Sequence, residues 1–151
     1  PLEDIKKKFP DQVGLHLLPN FTLPRLVFGG CDIFLMPCLF EPAGLTQLEA
    51  MRYGAVPVVR ATGGLADTVE DIDIQKGTGT GFVFKQYDFC AFYGTVVKAI
   101  TLWYDQEFWQ ALVKRAMEVD FSWDKAAENY LKLYRRSQDI LAGKFAKGEE
   151  Y

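Results

Sequence analysis

Two carboxylates stand eight positions apart where the sequence changes from an apolar strand pattern to a helical one. Glu41 belongs to the stretch FEPAGLTQLEAMRYG, and Glu49 follows slightly over two helical turns later, so both can line one side of a cleft. Gly44 would let a ligand approach the backbone closely. The N–H groups of residues 43–46 would then receive an anion such as a phosphate. Beside a phosphate, the Glu41 carboxylate would avoid charge repulsion by pointing to a sugar hydroxyl.

The same two acids also allow a purely structural interpretation. Glu41 could stabilise the dipole of the following helix. Glu49 could form a surface ion pair with Arg52, three positions later on the same helix. The spacing alone leaves the catalytic and the structural interpretations open.

A second glycine-rich turn, RATGGLADTV, follows the next apolar strand. Thr62 supplies a hydroxyl there, and Gly63 and Gly64 would offer exposed backbone N–H groups. Taken alone, the turn would be an ordinary strand-to-helix connection that needs positive φ. Two such turns after consecutive parallel strands meet at one edge of the sheet, where open α/β sheets bind ligands. Together they predict a site for a phosphorylated, hydroxyl-rich ligand.

The surrounding pattern predicts an α/β fold with a partial Rossmann-like parallel sheet and a helical C-terminal tail. Four strands are expected, in DQVGLHLLP, DIFLMP, AVPVVR and GFVF, and the second should be buried on both faces. Three helices follow, with Asp88 expected to cap the first and Asp124 the last. The predicted parts are a sheet (1–87), helices packed on it (88–143) and a disordered tail (144–151). Because the sheet looks incomplete, we expect the C-terminal part of a larger protein.

Composition excludes several classes of protein. The chain has 151 residues, 49% hydrophobic and 25% charged, which is typical of one globular domain rather than a disordered chain. A net charge of −3 favours neither nucleic acid nor an acidic membrane surface, and no apolar run approaches the ~20 residues of a membrane span. His16 is expected to be structural. The cysteines lack metal-ligand spacing and are expected to be small buried residues in a reducing compartment: Cys31, Cys38 and Cys90.

The combined pattern FEPAGLTQLEAMRYGAVPVVRATGGLADTV resembles the C-terminal signature of glycogen and starch synthases, retaining glucosyltransferases of the GT-B fold. The resemblance runs from GGCDIFLMP to DFSWDKAAENYLKLY. It implies transfer of glucose from ADP-glucose or UDP-glucose to the non-reducing end of an α-1,4-glucan, with retention and with no metal or other cofactor. Bacterial cytoplasm and plastid (chloroplast or amyloplast) stroma are the compartments expected.

Residue roles follow from the resemblance by position. It implies that Glu41 is catalytic and stabilises the positive charge that develops at the anomeric centre of the donor sugar. It implies that Glu49 faces the donor ribose. The other donor-binding residues that it implies are Gly44, Leu45 and Thr46 at the diphosphate, and Thr62, Gly63 and Gly64 near the sugar and diphosphate. An N-terminal GT-B domain, and an Arg and a Lys that neutralise the diphosphate, have no counterpart in this sequence, so we expect the isolated chain to be inactive.

Two alternatives are also compatible with the sequence. A truncated, non-catalytic paralogue could bind glucan or a complete synthase as a scaffold, with aromatic side chains stacking on sugars. Helical spacing favours packing for these aromatics instead: Trp103, Trp109, Trp123, Tyr130 and Tyr134. Another GT-B transferase, such as a sucrose or trehalose-phosphate synthase, is disfavoured by EPAGLTQLEAMRYG together with TGGLADTV.

Overall fold

The computed structural model describes residues 1–143, so the predicted disordered tail lies outside the described residues. Helices and strands follow one another in the order α1 (Leu2–Lys8), α2 (Leu23–Gly30), β1 (Ile33–Met36), α3 (Thr46–Arg52), β2 (Val56–Arg60), α4 (Gly63–Thr68), β3 (Phe82–Phe84), α5 (Phe89–Trp103), α6 (Gln106–Glu118) and α7 (Trp123–Leu141). None of the helices in this part of the chain is long and apolar enough to cross a membrane.

The sheet is parallel and has the strand order β1-β2-β3. Its register pairs Ile33 with Val56 and Val58 with Phe82. The predicted α/β class is therefore confirmed. The predicted first strand, DQVGLHLLP, is wrong, because this run is not hydrogen-bonded to a neighbouring strand and its Leu17 and Leu18 are 61% and 75% exposed.

The edge position of β1 explains a second error in the sequence prediction. β1 is half-buried rather than buried on both faces, and Leu35 is 46% exposed, because β1 has a single neighbour in the described sheet. The strand that is covered on both faces is β2. Its Pro57 is accommodated because Val56 donates its N–H to Asp32 O on the β1 side at 2.9 Å. Because backbone N–H groups point alternately to the two sides of a strand, the nitrogen of Pro57 faces β3. The pairing of β2 with β3 begins one residue later.

The core lies on both faces of β2. Val56 and Val58 pack with residues of α5 and α6. In the same cluster the rings of Phe82 on β3 and Trp109 on α6 stack with their centroids 6.2 Å apart. Val59 points to the other face and packs with residues of α3 and α4. Alternate residues of β2 thus pack with different sets of helices, and two of these helices, α3 and α4, follow the two glycine-containing turns.

Two helix caps were predicted, and one is confirmed. Asp88 accepts the N–H of Ala91 at 3.0 Å and so caps α5. The prediction for Asp124 is wrong, because Ser122 occupies the cap position of α7 and accepts the N–H of Lys125 at 3.4 Å. Asp124 falls in the first turn instead.

The tail aromatics divide into two groups. Trp109 of α6 is buried, as the packing interpretation predicts. On α7 no residue is buried, and Trp123 is 82% exposed, so the packing interpretation is wrong for Trp123, Tyr130 and Tyr134. These three side chains are presented to solvent.

The histidine and the cysteines are more exposed than predicted. His16 is exposed rather than part of the core. Cys31 and Cys38 are half-buried and Cys90 is exposed, and all three are free thiols. Partial burial raises the pKa of the Cys31 thiol above its ordinary value, because removal from water disfavours the thiolate.

Candidate active site

The two predicted turns lie against each other at one edge of the sheet. The segment after β1 contains Glu41, and the segment after β2 contains Thr62. Because the strands are parallel, both segments leave from the same ends. Gly64 donates its N–H to Pro42 O at 3.2 Å. The structure therefore brings Glu41 together with the Thr62–Gly64 turn, as the sequence predicted.

Close backbone approach is the reason for the paired glycines. A Cβ on Gly63 would stand 2.1 Å from Glu41 O, and a Cβ on Gly64 would stand 1.7 Å from Ala43 O. Gly63 also has a positive φ of 44°. The expectation that both residues offer exposed N–H groups is wrong for Gly64, which is buried and already donates to Pro42.

Glu41 is half-buried and contacts the backbone of its own turn. Its Oε1 accepts the N–H of Gly44 at 2.9 Å. This is the capping contact that the structural interpretation foresaw, and it occupies one of the N–H groups expected to receive a phosphate. The N–H groups of Leu45 and Thr46 donate to no protein acceptor within residues 1–143, and the second oxygen of Glu41 accepts no hydrogen bond there either.

Gly44 makes room for a side chain of the protein. It is buried with φ at 69°, and a Cβ there would stand 2.5 Å from Oε1 of Gln47. The amide of Gln47 therefore fills the space where a Cβ of residue 44 would stand, and the approach of a ligand to the Gly44 backbone stays a prediction. Thr62, which precedes α4 in an extended conformation, keeps a hydroxyl that makes no hydrogen bond with the described residues.

Gln47 was missed by the sequence interpretation. Its side chain is completely buried, and Nε2 donates to Gly44 O at 2.8 Å and to Thr68 Oγ1 at 3.1 Å. A signal was available, because Gln47 lies three and four positions before Ala50 and Met51, which form the buried face of α3. A polar residue in register with that face indicates a buried hydrogen-bonding role.

Glu49 is exposed on α3 and lines a cavity of about 610 Å³ between α3 and the residues around the end of α6. The alternative ion pair with Arg52 does not form within residues 1–143, since Arg52 Nη1 donates instead to Met117 O at 3.0 Å. Across the same residues, no group of three His, Cys, Asp or Glu side chains could hold a metal ion.

Arg60 supports the segment that precedes Glu41 and was also missed. Its Nε donates to Cys38 O at 2.8 Å, and its Nη2 donates to Leu39 O. The guanidinium lies over the ring of Tyr87, 5.6 Å from the centroid. One side chain at the end of β2 thus joins the segments that follow β1 and β3. The sequence did contain a signal for this role: a charged residue stands at the end of an apolar strand, directly before ATGG.

Residues 6–118 match the family described as glycosyl transferases group 1. The chain belongs to this family. Among its curated relatives, the glycogen synthase of Desulforudis audaxviator is 47% identical over 140 residues, which are 92% of this chain and 28% of that protein. The glycogen synthase of Thermotoga petrophila is 43% identical over 133 residues, with coverages of 87% and 27%.

Solved structures agree with the group 1 assignment. The catalytic domain of starch synthase IV from Arabidopsis thaliana, bound to ADP and acarbose, superposes with a TM-score of 0.78 at 40% identity, over 89% of this chain and 29% of that one. A sucrose-phosphate synthase from Thermosynechococcus elongatus, at 24% identity and a TM-score of 0.62, covers 92% of this chain and 34% of that one and shares the fold. The resemblance to glycogen and starch synthases is confirmed. The chain spans a little over a quarter of the length of the curated relatives that it matches.

Proposed function

We propose that this chain is the C-terminal, donor-binding part of a starch or glycogen synthase. The whole protein would transfer glucose from ADP-glucose or UDP-glucose to the non-reducing end of an α-1,4-glucan. The bond between the anomeric carbon and the donor diphosphate breaks, and a bond to an acceptor hydroxyl forms on the same face of the sugar. Retention is the stereochemical result.

The backbone contact between the two turns is the observation that carries this proposal. It brings the backbone of the Glu41 turn against Gly63 and Gly64, directly after Thr62, whose hydroxyl makes no hydrogen bond with the described residues. One oxygen of Glu41 is held by Gly44, which leaves the other to face the donor sugar. A fixed negative charge at that point stabilises the cation that develops at the anomeric carbon.

The donor diphosphate has backbone donors within reach of the same turn. We assign it to the N–H groups of Leu45 and Thr46, which have no protein acceptor among the described residues. Gly44 can join them after Glu41 releases its N–H. Gly63 and Gly64 shape the neighbouring wall near the sugar and diphosphate, and Glu49 is assigned to the donor ribose.

The rest of the longer protein would complete the site. The chain spans 28% of the Desulforudis relative, so we propose that the remainder supplies the N-terminal GT-B domain, the acceptor contacts, and the Arg and Lys that neutralise the diphosphate. The chain by itself is then inactive. Bacterial cytoplasm or plastid stroma stays the predicted compartment.

The test is glucosyl transfer by the full-length protein with Glu41→Gln. Glutamine keeps an oxygen that can accept the Gly44 N–H but removes the negative charge, so we expect kcat to fall about 10²- to 10³-fold with the fold intact. The matched control is Glu107→Gln, on the exposed surface of α6. Glu49→Gln should mainly raise the KM for the nucleotide sugar, because it removes ground-state binding.

Each result decides a separate part of the proposal. Undiminished transfer by Glu41→Gln would refute the catalytic assignment. Rates measured with ADP-glucose and UDP-glucose side by side identify the donor. Transfer by the 151-residue chain alone would contradict the proposed need for the remainder of the protein.

A glucan- or synthase-binding scaffold is the second candidate, and the surface of α7 favours it. Trp123 is 82% exposed, and the exposed rings of Tyr130 and Tyr134 lie 6.2 Å apart. Such rings can stack on sugars. Under this function the chain would co-sediment with insoluble glucan, and Tyr130→Ala would weaken that binding. Tyr104→Ala, at a side chain that is more exposed but lies outside α7, would not. Absence of co-sedimentation rejects the glucan-binding form of the scaffold.

A further inference from the structure

Gln47 is a polar side chain in the middle of an apolar interface. It is fully buried, while its neighbours on the same face of α3 are Ala50 and Met51. Its Nε2 lies 2.8 Å from Gly44 O, 3.1 Å from Thr68 Oγ1 and 3.4 Å from Ala43 O. Three oxygens around one nitrogen fix the orientation of the amide, because the opposite orientation would place an acceptor against acceptors.

Thr68 continues the connection to the other turn. Its hydroxyl accepts from Gln47 and donates to Gly64 O at 2.5 Å. Gly64 in turn donates its N–H to Pro42 O at 3.2 Å. The hydrogen bonds therefore form a closed ring that passes from the Glu41 turn through Gln47 and Thr68 to the glycine pair and back.

The oxygen of the Gln47 amide has no hydrogen-bond partner in the described part of the chain. Oε1 is buried and accepts no hydrogen bond within the described residues. A buried acceptor without a donor destabilises a fold, and an apolar side chain of the same shape would avoid that loss. Stability alone therefore does not explain a glutamine here, whereas a need to hold two turns together does.

We propose that Gln47 is a positioning residue that, through Thr68, fixes the Glu41 turn against the Thr62–Gly64 turn. The inference rests on the proposed function, since it concerns the geometry of that same site. Gln47 contacts no substrate. It sets the distance between the Glu41 carboxylate and the backbone that faces the donor, and displacement of a reacting group by about 1 Å can lower a rate about 10²-fold.

The test uses Thr68→Val and Thr68→Ser in the full-length protein. Valine keeps the shape of threonine and removes the hydroxyl, whereas serine keeps the hydroxyl. We expect Thr68→Val to lower kcat about 10- to 100-fold and Thr68→Ser to restore most of it. Gln47→Met should lower kcat similarly, and the double variant Gln47→Met with Thr68→Val should be no slower than the slower single variant, because both break one network.

A merely structural role gives a different pattern. In that case Thr68→Val and Thr68→Ser would lower the melting temperature while the folded enzyme kept its kcat and KM, and this result would overturn the proposal. If Gln47→Met does not fold, the two Thr68 variants decide the matter. Circular dichroism of each variant separates these cases.

Failure of the proposed function can be recognised separately. If the unmodified full-length protein transfers no glucose from either donor, the function fails, and the ring is then tested in the 151-residue chain by NMR. Thr68→Val should shift the amide signals of Gly44 and Gly64, and Thr68→Ser should leave them near their original positions. Unmoved signals in Thr68→Val would overturn the positioning role.

Discussion

The N–H of Gly64 donates to the carbonyl oxygen of Pro42 across 3.2 Å, and this bond joins the turn after β2 to the turn after β1. The contact is so close that a Cβ on Gly64 would stand 1.7 Å from Ala43 O. Glycine is needed there for a steric reason, since backbone meets backbone. The arrangement of the candidate site thus depends on a position that carries no functional group.

Replacing Gly64 should therefore be far more harmful than replacing a glycine in open space. We expect Gly64→Ala to lower the free energy of unfolding by about 3 kcal/mol or more, because Ala43 must move to admit the methyl group. The control is Gly94→Ala on the exposed side of α5, where no atom lies within 4 Å of the new Cβ. That change should raise stability by about 0.5–1 kcal/mol. Urea denaturation of both variants checks the difference, and equal effects would contradict the close contact.

Alanine substitutions at the two predicted caps should have different effects on stability. Asp88→Ala removes the acceptor for the Ala91 N–H and should cost about 1 kcal/mol in unfolding free energy. Asp124→Ala should change stability by no more than about 0.5 kcal/mol, because Asp124 is an exposed first-turn residue and Ser122 is the cap. Thermal unfolding followed by circular dichroism measures both. A larger loss for Asp124→Ala than for Asp88→Ala would reassign the caps.

The cysteines should differ in their rates of alkylation. Cys90 is exposed and should be modified first by iodoacetamide. Cys31 should be slower, because burial raises its pKa and so lowers the fraction of reactive thiolate at a given pH. Peptide mass spectrometry over time gives the order, and Cys90→Ser should abolish the fastest step. Faster modification of Cys31 than of Cys90 would contradict the described exposure.

Much of the fold could be predicted because its signals are local. The apolar runs of β1 and β2 and the periodicity of α5 and α6 are visible within short windows of sequence. The run DQVGLHLLP has a similar composition but forms no strand, since a strand needs a hydrogen-bonding neighbour and composition does not supply one. The exposed face of α7 was missed for a related reason, because helical spacing identifies a face but not what packs against it.

The sequence identified the two turns of the candidate site but not the side chains that hold neighbouring segments together. Glu41 and the Thr62–Gly64 turn were identified from strand ends and glycines, and the structure places them in contact. The pairing of Gln47 with Thr68, 21 positions apart, depends on how α3 packs beside α4. No pattern within either helix specifies that approach. The same holds for Arg60, whose acceptors lie 21 and 22 positions earlier.

The edge position of β1 affects how the 151-residue chain behaves in solution. Within residues 1–143, one side of β1 pairs with β2, and no strand pairs with its other side, which lies beside the partly exposed Leu35. An unpaired strand edge is a template for adding a strand from another molecule. A net charge of only −3 does little to keep copies apart, so we expect the chain on its own to self-associate as its concentration rises.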